Sequence, residues 1–189
     1  MDYATLSLAE VSTGLDAVAR EAQETFGALT PPQLNWRPDA TRWSVAQCFD
    51  HLVTANRLML QAADEATNGA MPRTIWQRAP VLPRLFGRLM VRSQAPTASG
   101  RFTAPAKARP SSSDIATDVI PRFVEQHQVI LARLRALDES TAAQTIMTSP
   151  FVRFITYSVL DGSRLMFAHD RRHFEQARRV TQSTAFPGF

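Results

Sequence analysis

The chain has 189 residues, of which 44% are hydrophobic and 20% charged, and its single cysteine excludes an internal disulfide. This length suits one domain, residues 1–189, with its own core, and is short for two. The formal net charge of +4 is carried almost wholly by arginines. They lie scattered and interleaved with acidic residues, so we expect no continuous basic stripe and no nucleic-acid partner.

The N-terminus does not resemble a targeting segment. The first ten residues include Asp2 and Glu10 and lack both the basic and the apolar region of a secretory signal. No window of the sequence approaches the roughly 20 apolar residues that span a bilayer. We therefore expect a soluble, cytoplasmic protein with no membrane partner.

The first predicted helix covers about 7–29. Apolar residues recur there at steps of three and four, which places them on one helix face; they are Leu8, Val11, Leu15, Val18, Ala22 and Phe26. Pro31 and Pro32 end the helix because proline has no N–H for the hydrogen-bond ladder. Glycine is sparse and no long period-two alternation occurs, so the fold class is predicted to be all-α.

The second predicted helix covers about 44–68. Ser44 is a good N-cap, and Gln47 three residues later completes a capping-box pattern. The apolar stripe of this helix includes Cys48, His51, Leu52, Ala55, Leu58, Met59 and Ala62. A histidine, His51, is therefore expected on the face that points into the protein.

Residues from about 70 to 110 differ from the rest of the chain. Prolines and arginines are frequent, and one apolar patch over 81–91 predicts a short helix. A connection of this length is usually functional or ordered by packing on another element. We predict a long crossover that covers one end of a helical bundle.

Two more helices are predicted after the crossover, at about 114–138 and 156–181. Pro121 is expected to interrupt the first turns of the third helix. Inward positions of the fourth helix include Leu160, Leu165, Met166, His169, His173, Ala177 and Val180. Four amphipathic helices predict a four-helix bundle with the long crossover between helices two and three.

Three of the four histidines fall on inward faces. His169 and His173 are four residues apart on one helix, so both imidazoles can reach one ion at about 2.0–2.1 Å. Such a pair alone is equally compatible with one core and one rim histidine. His51 adds a third inward imidazole, and buried imidazoles are costly unless they are hydrogen-bonded or bound to metal. We predict a divalent metal ion on His51, His169 and His173, with one coordination position open.

The metal could be one of several, because three imidazoles suit zinc, nickel, iron or copper. We expect zinc or nickel, with iron as an alternative. The segment from His169 to His173 also resembles H-E-x-x-H, with Asp170 in place of the glutamate base. That interpretation is disfavoured, because aspartate is one methylene shorter and the 16 residues after His173 contain no histidine ligand.

Several other residues have predicted positions around the three histidines or on the protein surface. Cys48 is either a soft fourth ligand or, as we favour, a small buried hydrophobe. His127 is predicted at a solvated or rim position, and Asp50 and Asp170 are predicted to point away from the ligands. Either Tyr157 or a main-chain carbonyl of the crossover is expected to accept the second N–H of a ligand histidine. Trp36 and Trp43 are predicted to pack near the end of the bundle. The solvated outer face of helix four is predicted to carry Arg171, Arg172, Arg178 and Arg179.

Three segments together carry a family resemblance, and they are Leu34 to Pro38, Trp43 to Leu52 and Phe167 to Gln176. In order and separation they resemble the DinB-like superfamily, which includes bacterial thiol-dependent S-transferases. The resemblance implies a four-helix bundle, often a homodimer, with a metal held at the positions of His51, His169 and His173. It also implies a low-molecular-weight thiol and a small electrophile as partners.

Two functions stay open from the sequence. One is a metal-dependent enzyme of the thiol S-transferase or hydrolase type, in which the metal activates a thiol or water. The other is a non-catalytic metal-binding or interaction bundle. The expected lining, Cys48, Ala55, Met166 and Ala177, is poor in acids and bases, so the sequence does not distinguish the two functions. Catalytic residues are therefore unassigned.

Overall fold

The computed structural model describes residues 1–69, 75–78, 81–98, 104–111 and 114–188. Within these ranges the protein is mostly helical, which confirms the all-α prediction. The α-helices are α1 (Leu8–Phe26), α2 (Pro31–Asn35), α3 (Val45–Thr67), α4 (Ile75–Arg78), α5 (Leu82–Gln94), α6 (Val119–Arg135), α7 (Glu139–Gln144) and α8 (Val159–Thr181). The strands are β1 (Ile146–Thr148) and β2 (Thr156–Ser158). None of the helices in the described ranges combines the length and apolar character needed to cross a membrane.

The four long helices α1, α3, α6 and α8 form the predicted bundle. Helix α3 packs against α8 and α6, and α1 packs against α6 and α8. Each helix contributes one phenylalanine to a chain of edge-to-face contacts, with ring centroids 4.9–5.4 Å apart, formed by Phe26, Phe49, Phe123 and Phe174. Edge-to-face pairs add to the stabilisation that burial gives. This aromatic cluster fixes the helices at the end of the bundle that holds His51.

Serine caps determine where three of these helices begin. Ser7 forms a capping box with Glu10, and Ser44 forms one with Gln47, as the sequence predicted for α3. Ser158 caps α8 through the N–H of Asp161. Helix α8 therefore begins at Val159 and not near 156.

The third predicted helix begins later in the structure than the sequence predicted. Helix α6 begins at Val119, five residues later than predicted, and runs without interruption to Arg135. Pro121 lies in its first turn, where the backbone N–H has no intrahelical acceptor, so the missing donor costs no hydrogen bond. The prediction that Pro121 interrupts the helix was wrong for this reason.

A short antiparallel hairpin precedes α8 and was not predicted. Strands β1 and β2 pair with Met147 opposite Tyr157. Three residues a strand are too few to show a period-two pattern in the sequence. The hairpin packs against α5, so it fixes the start of α8 beside the crossover.

The crossover lies along α8. Helix α5, predicted as the short helix at 81–91, packs closely enough that a Cβ at Gly87 would lie 2.4 Å from Oδ2 of Asp161. Nη1 of Arg172 donates to the carbonyl of Ser93 at 3.0 Å, which holds the other end of α5. A 3₁₀ turn at Ala106–Ala108 contacts α3. The crossover therefore covers the helices that carry the histidines; its residues 70–74, 79–80 and 99–103 lie outside the described residues.

Candidate metal centre

The structure brings together the three histidines that the sequence singled out. His51 lies in the second turn of α3, and His169 and His173 lie one turn apart on α8. One nitrogen of each ring lies within 4.8 Å of the others, and the ring centroids are 4.6–5.0 Å apart. Packing of α3 against α8 thus converts two separate sequence positions into one cluster.

The geometry of the cluster fits a metal ion. Nε2 of His51 and Nε2 of His169 are 3.1 Å apart. Two nitrogens bound tetrahedrally to one ion at about 2.0–2.1 Å are about 3.3 Å apart, so the observed spacing needs little adjustment. Among the described residues, Nδ1 of His173 finds no hydrogen-bond partner although it is buried. A buried polar atom with no partner is costly, and an ion bound to this nitrogen would satisfy it.

The electrostatic environment also favours metal binding. Only 3% of His51 and 9% of His173 are exposed to solvent. Burial lowers the pKa of His51, and burial with the neighbouring rings and Arg172 lowers that of His173 well below its ordinary value. Burial, followed by the neighbouring His51 and Arg172, lowers the pKa of His169 to about 3. All three rings are therefore neutral near pH 7, the state in which imidazole binds a metal.

The tautomer of His51 is fixed by the crossover. Its Nδ1–H donates to the main-chain carbonyl of Ala108, one of the two predicted kinds of acceptor. Nε2 then carries the lone pair and faces His169. The other predicted acceptor, Tyr157, lies elsewhere: its hydroxyl is 3.4 Å from the sulfur of Met59. A contact of this kind fixes the orientation and the tautomer of a histidine ring.

Trp43 forms one wall of the cluster. Its ring stacks on His173 at 5.7 Å between centroids and lies 5.1 Å from the ring of His51. The sequence predicted Trp43 as a packing residue, and the structure shows that two of its packing partners are the ligand candidates. Its place just before the N-cap Ser44 brings it over the first turns of α3.

A buried polar network, which the sequence did not predict, lies beside the cluster. The carboxylate of Asp170 accepts from Nδ2 of Asn56 at 3.0 Å and lies 2.9 Å from Nε2 of His127. Nδ1 of His127 donates to the carbonyl of Phe123 at 2.8 Å. His127 is 1% exposed, so the prediction of a solvated or rim position was wrong. Its spacing of four from Phe123 and three from Ile130 was the available signal, because all three lie on one helix face.

The two aspartates adjacent to the candidate ligands, Asp50 and Asp170, hydrogen-bond to residues other than the three histidines of the cluster. Asp50 accepts from the N–H of Ser111 at 2.7 Å and pairs with Arg122 at 3.6 Å, which attaches the crossover to α3 close to Ala108. Asp170 is fully buried and bonds His127 and Asn56 as described. Both aspartates therefore support the helices around the cluster.

Cys48 and the arginines of α8 lie near the cluster, and their environments differ. Cys48 is fully buried in the hydrophobic core, and burial raises the pKa of its thiol to about 12, which supports its interpretation as a small hydrophobe. Arg171 makes two bonds of 2.6 Å to Glu21 of α1, and Arg172 donates to Ser93. The predicted solvated outer face of helix four was therefore wrong for these two arginines, because α1 and α5 pack on either side of α8. Arg178 and Arg179 are exposed, as predicted.

The cluster has no acid or base of its own beyond the imidazoles. In the described part of the chain, the group close enough to share an ion consists of the three histidines without a carboxylate or thiolate. A cavity of about 350 Å³ between α3, α6 and α8 is lined by residues such as Met59, Ile130 and Met166, and by none of the three histidines.

Comparison with known proteins yields one match. A family model described as the DinB superfamily matches residues 15–177, a segment that contains all three histidines. No curated protein and no solved structure matches the chain.

Proposed function

The chain belongs to the DinB superfamily, and from this premise we propose that His51, His169 and His173 bind one divalent metal ion in an enzyme of the thiol S-transferase or hydrolase type. The observation that carries the proposal is the convergence of three neutral, largely buried imidazoles from α3 and α8. Zinc or nickel is the expected ion, with iron as an alternative.

The metal would supply the reactive chemistry. An ion held by three protein ligands has an open coordination position, where the pKa of a thiol or water is lowered enough to give a nucleophile at neutral pH. A low-molecular-weight thiol and a small electrophile are the proposed partners, in a cytoplasmic homodimer.

The protein's own residues would orient and shield the site. The Ala108 carbonyl holds the ring of His51 in one tautomer. The ring of Trp43 covers His173 and part of His51, which limits the access of bulk water on that side. His169 is the most exposed of the three ligand candidates, so a substrate would approach on its side.

The composition of the cluster is also compatible with a second candidate function. The described residues place no carboxylate within ligand distance of the cluster, so an acid or base would have to come from the substrate or the solvent. A metal-activated thiolate needs no protein base once its proton has left, which is compatible with transfer. A non-catalytic metal-binding bundle is compatible with the same arrangement.

Elemental analysis of protein purified without a His tag tests metal binding. We expect about one equivalent of metal in the parent protein and its loss in His169→Ala. Cys48→Ala is the control: it changes a buried residue of α3 three positions before His51, yet should retain the metal. If His169→Ala keeps the metal with its helical circular dichroism intact, the three-histidine site is wrong.

A second assay separates the two candidate functions. Metal-loaded protein is incubated with an electrophile and glutathione, bacillithiol or mycothiol, and thiol consumption is compared with that of His169→Ala. Consumption that requires both the metal and His169 supports the transferase. A metal-loaded protein that neither consumes thiol nor hydrolyses the electrophile supports the non-catalytic bundle.

A further inference from the structure

The charge of the chain is concentrated in the crossover. From Ala66 to Ser113 there are eight basic residues and no acidic one. Since the whole chain has a net charge of +4, the rest of it carries −4. The expectation that arginines are interleaved with acids therefore does not hold for this segment. Such an asymmetry predicts attraction to an anionic surface on one side of the protein.

Helix α5 presents this charge beside an apolar row. Val81, Leu85 and Leu89 follow one another at steps of four and are 49–66% exposed. The next row along the same face is Arg84, Arg88 and Arg92, all exposed. The opposite face carries Pro83, Gly87 and Val91, which are buried. The outer face of α5 is thus both apolar and basic, without an acidic residue.

Helix α4, which contacts α5, exposes two more apolar residues. Ile75 and Trp76 are 75% and 44% exposed, and the carbonyl of Trp76 accepts from Oγ1 of Thr156, which attaches α4 to the hairpin. In the described ranges, five of the eight large hydrophobic residues that are exposed lie between 75 and 89. An exposed apolar area this concentrated marks an interaction surface.

We propose that this outer face of α4 and α5, the basic apolar face, binds an anionic lipid surface. Helices that lie in a membrane interface combine large apolar residues on one side with arginine or lysine beside them. Tryptophan is enriched at the same depth, and arginine can extend its head group to lipid phosphates while its stem stays apolar. Both kinds of group at the basic apolar face would then have a partner, and no spanning helix is required. The proposal replaces the expectation from the sequence that the protein has no membrane partner.

Other occupants fit less well. In a symmetric pair, the same patch of each copy meets its counterpart. Arg84 and Arg88 of one copy would then face the arginine rows of the other with no acid on α5 to neutralise them. A nucleic acid would neutralise the arginines but leave Val81, Leu85 and Leu89 in water. An anionic lipid surface satisfies the charge and the apolar row together.

The contacts that hold α5 against the rest of the protein would remain in place during binding. Its close approach to Asp161 at Gly87, the bond from Arg172 to Ser93, and the ion pair of Arg92 with Asp2 at 3.3 Å hold it against the bundle. The surface is therefore presented preformed, with little ordering required. Arg84 and Arg88 face outward and are available to lipid.

Flotation of the protein with vesicles tests the proposal. Vesicles of phosphatidylcholine are compared with vesicles that also contain phosphatidylglycerol. We expect binding to the mixed vesicles, weakened by salt, and a blue shift of tryptophan emission from Trp76. Arg84→Gln with Arg88→Gln should weaken partitioning by about 25-fold, at about fivefold for each arginine near the surface. Leu85→Ser with Leu89→Ser should also weaken it.

Matched controls lie elsewhere on the surface. Arg20→Gln removes an exposed arginine of α1, and Val129→Ser removes an exposed hydrophobic residue of α6; neither should change partitioning. Absence of binding to the mixed vesicles, or binding unchanged by the Arg84 and Arg88 substitutions, would overturn the proposal. The proposal would also be wrong if light scattering showed a dimer that the Leu85 and Leu89 substitutions dissociate, and the protein bound no lipid. Equally, DNA binding without vesicle binding would assign the face to nucleic acid.

Discussion

Asp170 links three helices through buried contacts, and its removal should be costly. Its carboxylate on α8 binds Asn56 of α3 and His127 of α6, and none of these residues is more than 1% exposed. Asp170→Ala leaves a buried amide and a buried imidazole without their partner. Breaking a buried pair by removing one member costs about 3–5 kcal/mol, and we expect a loss of that size in the free energy of unfolding.

Asp170→Asn distinguishes the hydrogen bonds from general packing. An asparagine carbonyl can still accept from Asn56, and its amide N–H can donate to Nε2 of His127 in the tautomer whose Nδ1–H donates to Phe123. All the buried groups keep a partner, so the expected cost is about 1 kcal/mol.

Urea denaturation of the metal-free protein, in the presence of a chelator, measures both variants. The denaturant dependence should stay unchanged, so that midpoint shifts report stability. Asp50→Ala is the comparison, because Asp50 also precedes a candidate ligand but bonds the crossover at the bundle's edge. The reasoning is refuted if Asp170→Ala costs no more than Asp50→Ala, or if Asp170→Asn is as damaging as Asp170→Ala.

Three further predictions concern pH, backbone approach and the aromatic cluster. The histidines of the cluster have lowered pKa values in the folded state, so below pH 6.5 the unfolded chain binds more protons than the folded one. The metal-free protein should therefore lose stability as the pH falls from 6.5 towards about 3. Urea titrations should show a smaller loss in His169→Gln. Gly87→Ala places a Cβ 2.4 Å from the Asp161 carboxylate and should cost about 1–3 kcal/mol by thermal unfolding, whereas Gly188→Ala, which meets open space, should cost nothing measurable. Phe123→Ala removes a fully buried ring that contacts Phe49 and should cost about 3–5 kcal/mol by urea denaturation, and a loss below about 1 kcal/mol would contradict the packing described.

The candidate site was largely accessible from the sequence because its parts follow local rules. The step of four between His169 and His173 guarantees a shared helix face, whatever the rest of the fold. The apolar stripe around His51 and the cap at Ser44 determined which way that histidine points. The family resemblance supplied the remaining step, namely that the two faces meet.

The surroundings of the site depended on contacts between elements distant in sequence. His127 and Asp170 are 43 residues apart, and their pairing requires a particular rotation and axial offset of α6 relative to α8. The same is true of Arg171 with Glu21 and of His51 with Ala108. Periodicity determines which face of a helix is apolar, but it contains no information on how far two helices slide or rotate against each other. By itself, the sequence therefore determined the helices and the inward histidines, while the tertiary structure decided which polar groups hold them in place.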